Sequence, residues 1–379
     1  MKLKQAYWLF WLIFLGACGP KKQEPIVTPW GEIIDSVVTV ADEDFDLSEI
    51  QGSGEMILLT LSGPEFYYDY RGKHLGTQYL LAQKFADSLG VRLRVEVCRD
   101  TTEMAAKLGN NEGDLMATTV PGQLEASLSK PLLTEELKKW CTPARLDEVR
   151  RQEAYLLSSR SVKRRVYSPM LDRKGGVISH YDHLFVQYAQ TIRWDWRLMA
   201  AQCYQESTFD PKATSWAGAK GLMQIMPGTA DHLGLARSQM YEPEPNIAAA
   251  AKYLGELEQS LSDISNRQER TYFVLASYNG GIHHIRDAMA LCQRDGKNPQ
   301  RWADVEGYVL KLAQPEFYND PLVKYGYMRG SETTDYVAKI RERWQTYRQV
   351  RSPRHGFTQQ PRKAKKTHKY KSANNETKT

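Results

Sequence analysis

Two kinds of apolar spacing divide the chain. Up to about residue 119 the apolar positions come in short runs and alternations. Met56 to Leu61 is an apolar run of the kind a buried strand needs. In residues 77–89, Tyr79, Leu80, Ala82, Phe85, Ala86 and Leu89 recur at helical intervals, and Gly90 closes the run. Residues 91–97 alternate Val and Leu with Arg and Glu and predict a strand; residues 101–108 predict a second short helix and residues 114–117 a third strand. That order implies a small α/β unit with a parallel sheet. Residues 135–139 and 146–156 are charged and partly helical. From His180 the spacing is helical throughout. Asp195 is a good N-cap for a helix over residues 196–206, and Asn246 is expected to cap a helix with Ile247, Ala250, Ala251, Leu254, Leu257 and Leu261 on one face. Residues 267–279 end at Gly280-Gly281, residues 283–294 continue, and Ser331 opens a last helix through Tyr347. The expected class is α+β multidomain, with a small α/β lobe at 53–165, a basic linker after it and an all-α domain at 176–350.

The ends read differently. Lys2 and Lys4 precede a mostly apolar stretch over residues 6–15, as in an export signal covering residues 1–18. That stretch is shorter than the ~20 residues a membrane span needs. Leu15-Gly16-Ala17-Cys18 resembles a lipobox. The resemblance implies that Cys18 carries lipid and tethers the protein to a membrane, with the periplasmic face of the outer membrane as the expected location. A plain secretory signal with an incidental cysteine is the alternative. Residues 19–52 are polar, with Pro20, Pro25 and Pro29, and read as a flexible spacer.

Charge changes the picture only at the C-terminus. The formal charge is +6, but residues 351–379 hold nine Lys/Arg against one Glu, so the rest of the chain is slightly acidic. A whole-body basic surface for nucleic acid is not supported. The tail reads as a solvated, disordered segment, or as one weakly attracted to anionic lipid or wall polymer. Apart from Cys18, the cysteines are Cys98, Cys141, Cys203 and Cys292. In an oxidising compartment their sequence neighbourhood suggests Cys98–Cys141 and Cys203–Cys292 bridges, although four cysteines allow three connectivities. No Cys/His spacing resembles a zinc site, His283-His284 reads as a solvated helix pair, and neither metal nor cofactor is expected.

Candidate chemistry centres on Glu206, at the C-terminal end of its helix. The helix dipole there disfavours a second negative charge, and burial would act the same way, which suits a general acid. A lone Glu at a helix end is more often a solvated surface group. Three further runs change that balance: Gly218-Ala219-Lys220-Gly221-Leu222-Met223-Gln224, Ser277-Tyr278-Asn279-Gly280-Gly281, and Glu332-Thr333-Thr334-Asp335-Tyr336-Val337. Amides, phenols and hydroxyls around one acid, with no metal ligands and no nucleophile–base pair, equip a sugar site.

On these motifs, residues 180–348 resemble the catalytic domain of the soluble-type lytic transglycosylases, related to goose-type lysozyme. Glu206-Ser207 matches the family's catalytic pair, residues 221–224 its Gly-Leu-Met-Gln motif, and Tyr278-Asn279-Gly281 its Ala-Tyr-Asn-x-Gly motif, with Ser277 in the alanine position. The resemblance implies a lysozyme-like fold that cleaves peptidoglycan glycan strands without adding water. Glu206 would protonate the glycosidic oxygen and then activate the muramoyl 6-hydroxyl. Ser215 and Gln224 would hold the N-acetyl group and sugar backbone. Met223 and Met226 would line the subsite floor or belong to the core. Tyr278 and Tyr336 would hydrogen-bond Glu206, and Asn279 would contact substrate. No second carboxylate is offered by the matched motifs, as two-carboxylate glycosidases require; Asp210, before Pro211, reads as a stabilising cap. A hydrolytic lysozyme and a non-catalytic wall-binding lipoprotein remain the alternatives.

The first lobe resembles half of a type II periplasmic solute-binding protein. The carriers are Phe66-Tyr67-Tyr68, the run at 82–91, Gly113-Asp114-Leu115 and Ser129-Lys130-Pro131-Leu132. Too little chain follows for a second lobe, and residues 118–127, TTVPGQLEAS, lack the arginine that grips a ligand carboxylate in that family. A reduced lobe without an amino-acid cleft is therefore expected, and solute sensing is the weaker alternative.

Overall fold

The computed structural model describes residues 45–350, together with the backbone of two short antiparallel strands, β1 (Ile26–Val27) and β2 (Ile33–Ile34). The expected signal peptide with Cys18, most of the expected spacer and the basic tail lie outside the described residues. No helix among the described residues is long and apolar enough to cross a membrane.

Folding begins earlier than the composition suggests. Residues 45–53 form helix α1 (Phe45–Ser53). Asp46 accepts from the Leu132 amide (2.7 Å) and Ile50 enters the first core. The end of the expected spacer is therefore part of the lobe.

Strand β3 (Glu55–Thr60) is the spine of that lobe. Met56, Leu58, Leu59 and Thr60 are buried, as a strand covered on both faces requires. Across the loop, β4 (Tyr68–Tyr70) and β5 (Lys73–Leu75) make a hairpin that the sequence pattern does not announce. Helix α2 (Thr77–Leu89) lays Leu81, Ala82, Phe85 and Ala86 on the sheet and ends at Gly90 in the left-handed conformation. β6 (Arg92–Val97) pairs parallel with β3, Glu55 opposite Arg92 through Thr60 opposite Val97. Asp100 caps α3 (Thr101–Gly109) by accepting from the Glu103 amide, and Met104 and Leu108 cover the other face with Leu59. β7 (Leu115–Ala117) adds a third parallel strand, and β8 (Leu124–Ala126) an antiparallel edge, giving the order β6-β3-β7-β8.

Two helices with proline in the first turn follow, α4 (Pro131–Trp140) and α5 (Pro143–Leu156). Glu153 of α5 locks the hairpin. Its carboxylate accepts from Thr77 Oγ1 (2.8 Å), the Gly76 amide (3.1 Å) and Tyr68 Oη (3.3 Å).

The basic stretch after α5 is not a free linker. β9 (Val162–Lys163) pairs with β10 (Thr214–Ser215), Arg164 donates to the Glu206 carbonyl and the Arg165 amide to the Asp210 carboxylate. A charged segment reads as solvated in one dimension; here its backbone finds an edge to pair with.

Beyond it the fold is all helix around one large core: α6 (Asp182–Thr191), α7 (Trp196–Ser207), α8 (Pro227–Leu233), α9 (Pro243–Ser260), α10 (Arg267–Gly280), α11 (Ile282–Arg294), α12 (Trp302–Lys311), α13 (Pro315–Tyr318) and α14 (Gly330–Tyr347). α14 packs against both α7 and α10. Gly330 opens it where a Cβ would meet the Val309 carbonyl oxygen at 1.9 Å, so only glycine fits.

Two expectations are corrected here. The four described cysteines are free thiols. Cys98 sits with Leu59 and Met104 and Cys141 packs against the separate core around Phe85, while Cys203 and Cys292 are both buried in the helical core, where Cys203 donates to the Leu222 carbonyl (3.4 Å). Asn246 is not an N-cap. α9 begins at Pro243, and Asn246 is fully buried one turn in. Its Oδ1 accepts from the Met223 amide (2.8 Å), and its Nδ2 donates to Met240 (2.8 Å) and Lys220 (3.1 Å) carbonyls.

Asn246 thus holds the glycine-rich loop from below. Asn246→Ala would strand three buried backbone groups, each worth roughly 1–3 kcal/mol. Chemical denaturation should show a loss of about 3 kcal/mol or more, against a small effect for Asn110→Ala, an exposed asparagine at the end of α3.

Candidate functional site

The site is built where α7 stops. Asp195 starts that helix, accepting from the Arg197 amide (3.0 Å), and its other oxygen accepts from Trp344 Nε1 of α14 (2.9 Å). One carboxylate therefore sets the axial position of α7 against α14. At the other end two consecutive non-glycine residues, Thr208 (φ 53°) and Phe209 (φ 63°), lie in the left-handed region. Strain of this kind persists only where surroundings over-determine it. Here Thr208 Oγ1 donates to the Arg165 carbonyl (2.9 Å), and Asp210, buried, accepts from the Arg165 (2.5 Å) and Lys212 (3.0 Å) amides. The chain turns sharply away just past Glu206 and leaves that side chain facing an open groove. Asp210 serves the turn, as its position before Pro211 suggests.

Glu206 is partly buried. Burial is the main reason its carboxyl is pushed up to about 7; the hydrogen bond from Tyr336 and the nearby charges of Arg71 and Arg164 oppose that rise without cancelling it. Tyr336 Oη donates to Glu206 Oε1 at 2.5 Å. Arg164 donates to the Glu206 main-chain carbonyl (2.9 Å), countering the negative end of the helix.

The groove runs on either side of one crossing element, with about 960 Å³ on the Glu206 side and about 850 Å³ on the other. Ser215, Gln224, Asn279 and Tyr336 line the Glu206 side, while Met226 and Tyr278 line the far side, where Gln224 and Asn279 appear again. Gly221 makes the loop possible: its φ is +79°, and a Cβ would meet the Met240 carbonyl oxygen at 2.2 Å. Gln224 is itself at φ +49°. Its Nε2 is spent on the Gly221 (2.9 Å) and Ala213 (3.2 Å) carbonyls, which leaves Oε1 to face the groove. Ser215 Oγ accepts from the Ala219 amide (3.0 Å) and keeps its own proton to donate. Asn279 Oδ1 accepts from Thr333 Oγ1 (2.8 Å), which orients its Nδ2 as a free donor.

Two expected contacts differ. Tyr278 does not bond Glu206; its hydroxyl donates to the Met223 carbonyl (2.7 Å) and braces the loop instead. Met223 is fully buried in the helical core and lines neither half of the groove, because Asn246 and Tyr278 pin its backbone inward. Met226 does line it.

The sequence pattern also misses parts of the groove. The crossing element is the β4–β5 hairpin of the α/β lobe, carrying Tyr70 and Arg71 into both halves. The Tyr70 ring lies parallel to Trp216 (centroids 6.1 Å, 3°), and its hydroxyl donates to Glu332 (2.7 Å). Glu332 is a second carboxylate in the groove, but Arg329 also donates to it (2.9 Å), so it is occupied in holding the hairpin. His283-His284 is solvated only in part, since His283 is exposed and His284 is not. His283 stacks on Tyr325 (4.4 Å), and His284 lines the groove half-buried, its imidazole held below its ordinary range by burial.

Residues 183–300 match the Transglycosylase SLT domain family model. The membrane-bound lytic murein transglycosylase F of Pseudomonas putida (strain GB-1) is 38% identical over 173 residues, covering 46% of this chain and 35% of that protein. The chain thus aligns with only about a third of the length of such relatives. The protein of the same name from Enterobacter sp. (strain 638) is 28% identical over 417 aligned positions, more than the 379 residues of this chain, covering 78% of this chain and 80% of its own. The solved 70 kDa soluble lytic transglycosylase of Escherichia coli is 28% identical across 45% of this chain and 24% of its own, with a TM-score of 0.31.

The raised Glu206 carboxyl has a stability consequence with a definite sign. Its folded value lies above the ordinary glutamate value of 4.5, so its favourable contribution is complete below pH 4.5 and is lost as pH rises through about 7. Thermal unfolding across pH should show Glu206→Gln matching the parent at pH 4 and exceeding it above pH 7. Tyr336→Phe removes the bond that lowers the carboxyl and should move that crossover to higher pH.

Proposed function

We propose that this chain is a lytic transglycosylase that cleaves the β-1,4 bond between N-acetylmuramoyl and N-acetylglucosaminyl units of peptidoglycan, leaving a 1,6-anhydromuramoyl end. The observation that carries the reading is a single, partly buried carboxyl pushed up to about 7 and bonded by one phenol, at the wall of an open groove lined by amide and hydroxyl groups. The SLT match over residues 183–300 supports it independently.

Each group then has a role. Glu206, protonated near neutrality, gives its proton to the glycosidic oxygen as the C1–O bond breaks. The carboxylate formed is stabilised by Tyr336 Oη and by the Arg71 and Arg164 charges. It then takes the proton of the muramoyl 6-hydroxyl, whose oxygen attacks C1 and closes the ring. The proton gained balances the proton given, and no water is consumed. Ser215, Gln224 Oε1 and Asn279 Nδ2 offer the donors and acceptors for the acetamido groups and the sugar backbone. Tyr278 and Met223 act through the loop they brace.

A hydrolytic reading needs a second carboxylate to activate water. Glu332, Asp335 and Asp69 are the further carboxylates lining the groove, and each is engaged, Glu332 by Tyr70 and Arg329, Asp335 by Lys339 and Asp69 by the Gly72 amide, which favours the transglycosylase. We further infer a lipid-anchored protein on the periplasmic face of the outer membrane, tethered through Cys18 and working on glycan strands. In this reading residues 53–165 are a reduced solute-binding-like lobe without a ligand cleft. Gln78 Nε2 spans the Thr118, Val120 and Gln123 carbonyls in the turn where a ligand-gripping arginine would be needed.

Mass spectrometry of fragments released from purified sacculi tests the reaction. The anhydro product is one water lighter than the hydrolytic one. Glu206→Gln should lower turnover by roughly a hundred- to ten-thousand-fold. Fragments at the hydrated mass would instead favour the lysozyme reading, and full activity of the variant would end both.

A further inference from the structure

The hairpin that crosses the groove presents an arginine at its tip under unusual conditions. Tyr68 pairs with Leu75 and Tyr70 with Lys73, so Arg71-Gly72 is a two-residue loop. Both residues have positive φ, 53° and 67°, which is the turn that matches strand twist and ordinarily takes Asn, Asp or Gly at its first position. Arginine there carries a backbone cost that a smaller residue would avoid.

Nothing within the fold uses the side chain fully. Its guanidinium lies over the Tyr70 ring (5.3 Å) and makes a loose ion pair, 3.8 Å to Glu332, which Tyr70 and Arg329 already bond more closely. Among the described residues it donates no hydrogen bond, and its side chain is 37% exposed into both halves of the groove. Its platform, by contrast, is rigid. Tyr70 is clamped between Trp216 and Glu332, Tyr68 packs edge-on to Tyr327 (4.9 Å), and Ser62 Oγ accepts from the Tyr327 amide (2.9 Å). A fixed planar fork with unspent donors is suited to bidentate recognition of a carboxylate.

We propose that Arg71, delivered by the α/β lobe, is a specificity-determining residue that recognises a carboxylate on the glycan bound in the groove. The inference rests on the peptidoglycan reading above. Muramoyl units differ from N-acetylglucosaminyl units by a lactyl ether, which ends in a carboxylate or in a peptide that carries carboxylates. The lobe that has no ligand cleft of its own thereby contributes to substrate choice at the neighbouring site.

The test uses the full chain carrying Glu206→Gln, so that binding is read without turnover. The probes are peptide-free strands of alternating N-acetylglucosamine and N-acetylmuramic acid, with lactyl carboxylates free or methyl-esterified. With Arg71 present, calorimetry should give at least tenfold tighter binding of the free-acid strand. Arg71→Asn keeps a residue suited to the turn and removes the charge. It should bind both strands alike, with a melting temperature equal to or above the parent's. A preference that persists in Arg71→Asn, or no preference with Arg71 present, overturns the proposal. Absence of binding to either strand overturns both this proposal and the peptidoglycan reading. Discrimination through Arg71 in a protein whose Glu206 form releases no anhydro fragments would sink the reaction and leave the recognition standing.

Discussion

The bond between Tyr336 and Glu206 is the constraint on which the remainder of the molecule turns. A carboxyl held partly out of water with one neutral donor sits near the proton affinity that acid and base roles both require. More donors would hold it ionised, and deeper burial would keep it from substrate. The bond spans α7 and α14, so the two helices have to meet in one register. Asp195 sets that register from the other end of α7 by bonding Trp344. Stability is given up locally for this: two left-handed residues follow Glu206, and their surroundings rather than their own preferences keep them there.

Support for the groove comes from polar side chains that hydrogen-bond its wall, of which Asn246 lines neither half. Asn246 and Tyr278 both bond the backbone of Met223, from opposite sides of the glycine-rich loop. Thr333 bonds Asn279 from α14. The Asn246 bond is buried and the other two are part-buried, and geometry is enforced most strongly at the first because the alternative is an unpaired group. The recognisable motifs therefore divide into residues that face the groove and residues that position its wall.

The α/β lobe is joined to this site by more than a tether. Its hairpin lies across the groove, its Ser62 bonds the segment before α14, and the strap after α5 pairs with the loop that carries Ser215. The join is largely aromatic and charge-assisted. Such a seam resists sliding, because each stacked ring and each bonded carboxylate has one favourable position.

Much of this was legible in one dimension because it depends on local periodicity. The helix over Thr77–Leu89, its glycine stop, the three parallel strands and the Asp195 cap are all set by residues within a turn or two of one another. Glu206, Ser215, Gln224, Asn279 and Tyr336 were nameable from motif order, and they do share one groove. What the chain alone could not decide is which partner each polar group takes. Tyr278 finds a carbonyl rather than the acid, Asn246 a loop rather than a helix end, and the cysteines stay free, Cys98 and Cys141 in separate cores. Arg71 enters a site far away in sequence from an Arg-Gly turn with no strong local signal. Those outcomes depend on which surfaces meet once the helices pack, and side-chain periodicity carries no information about a neighbour hundreds of residues distant.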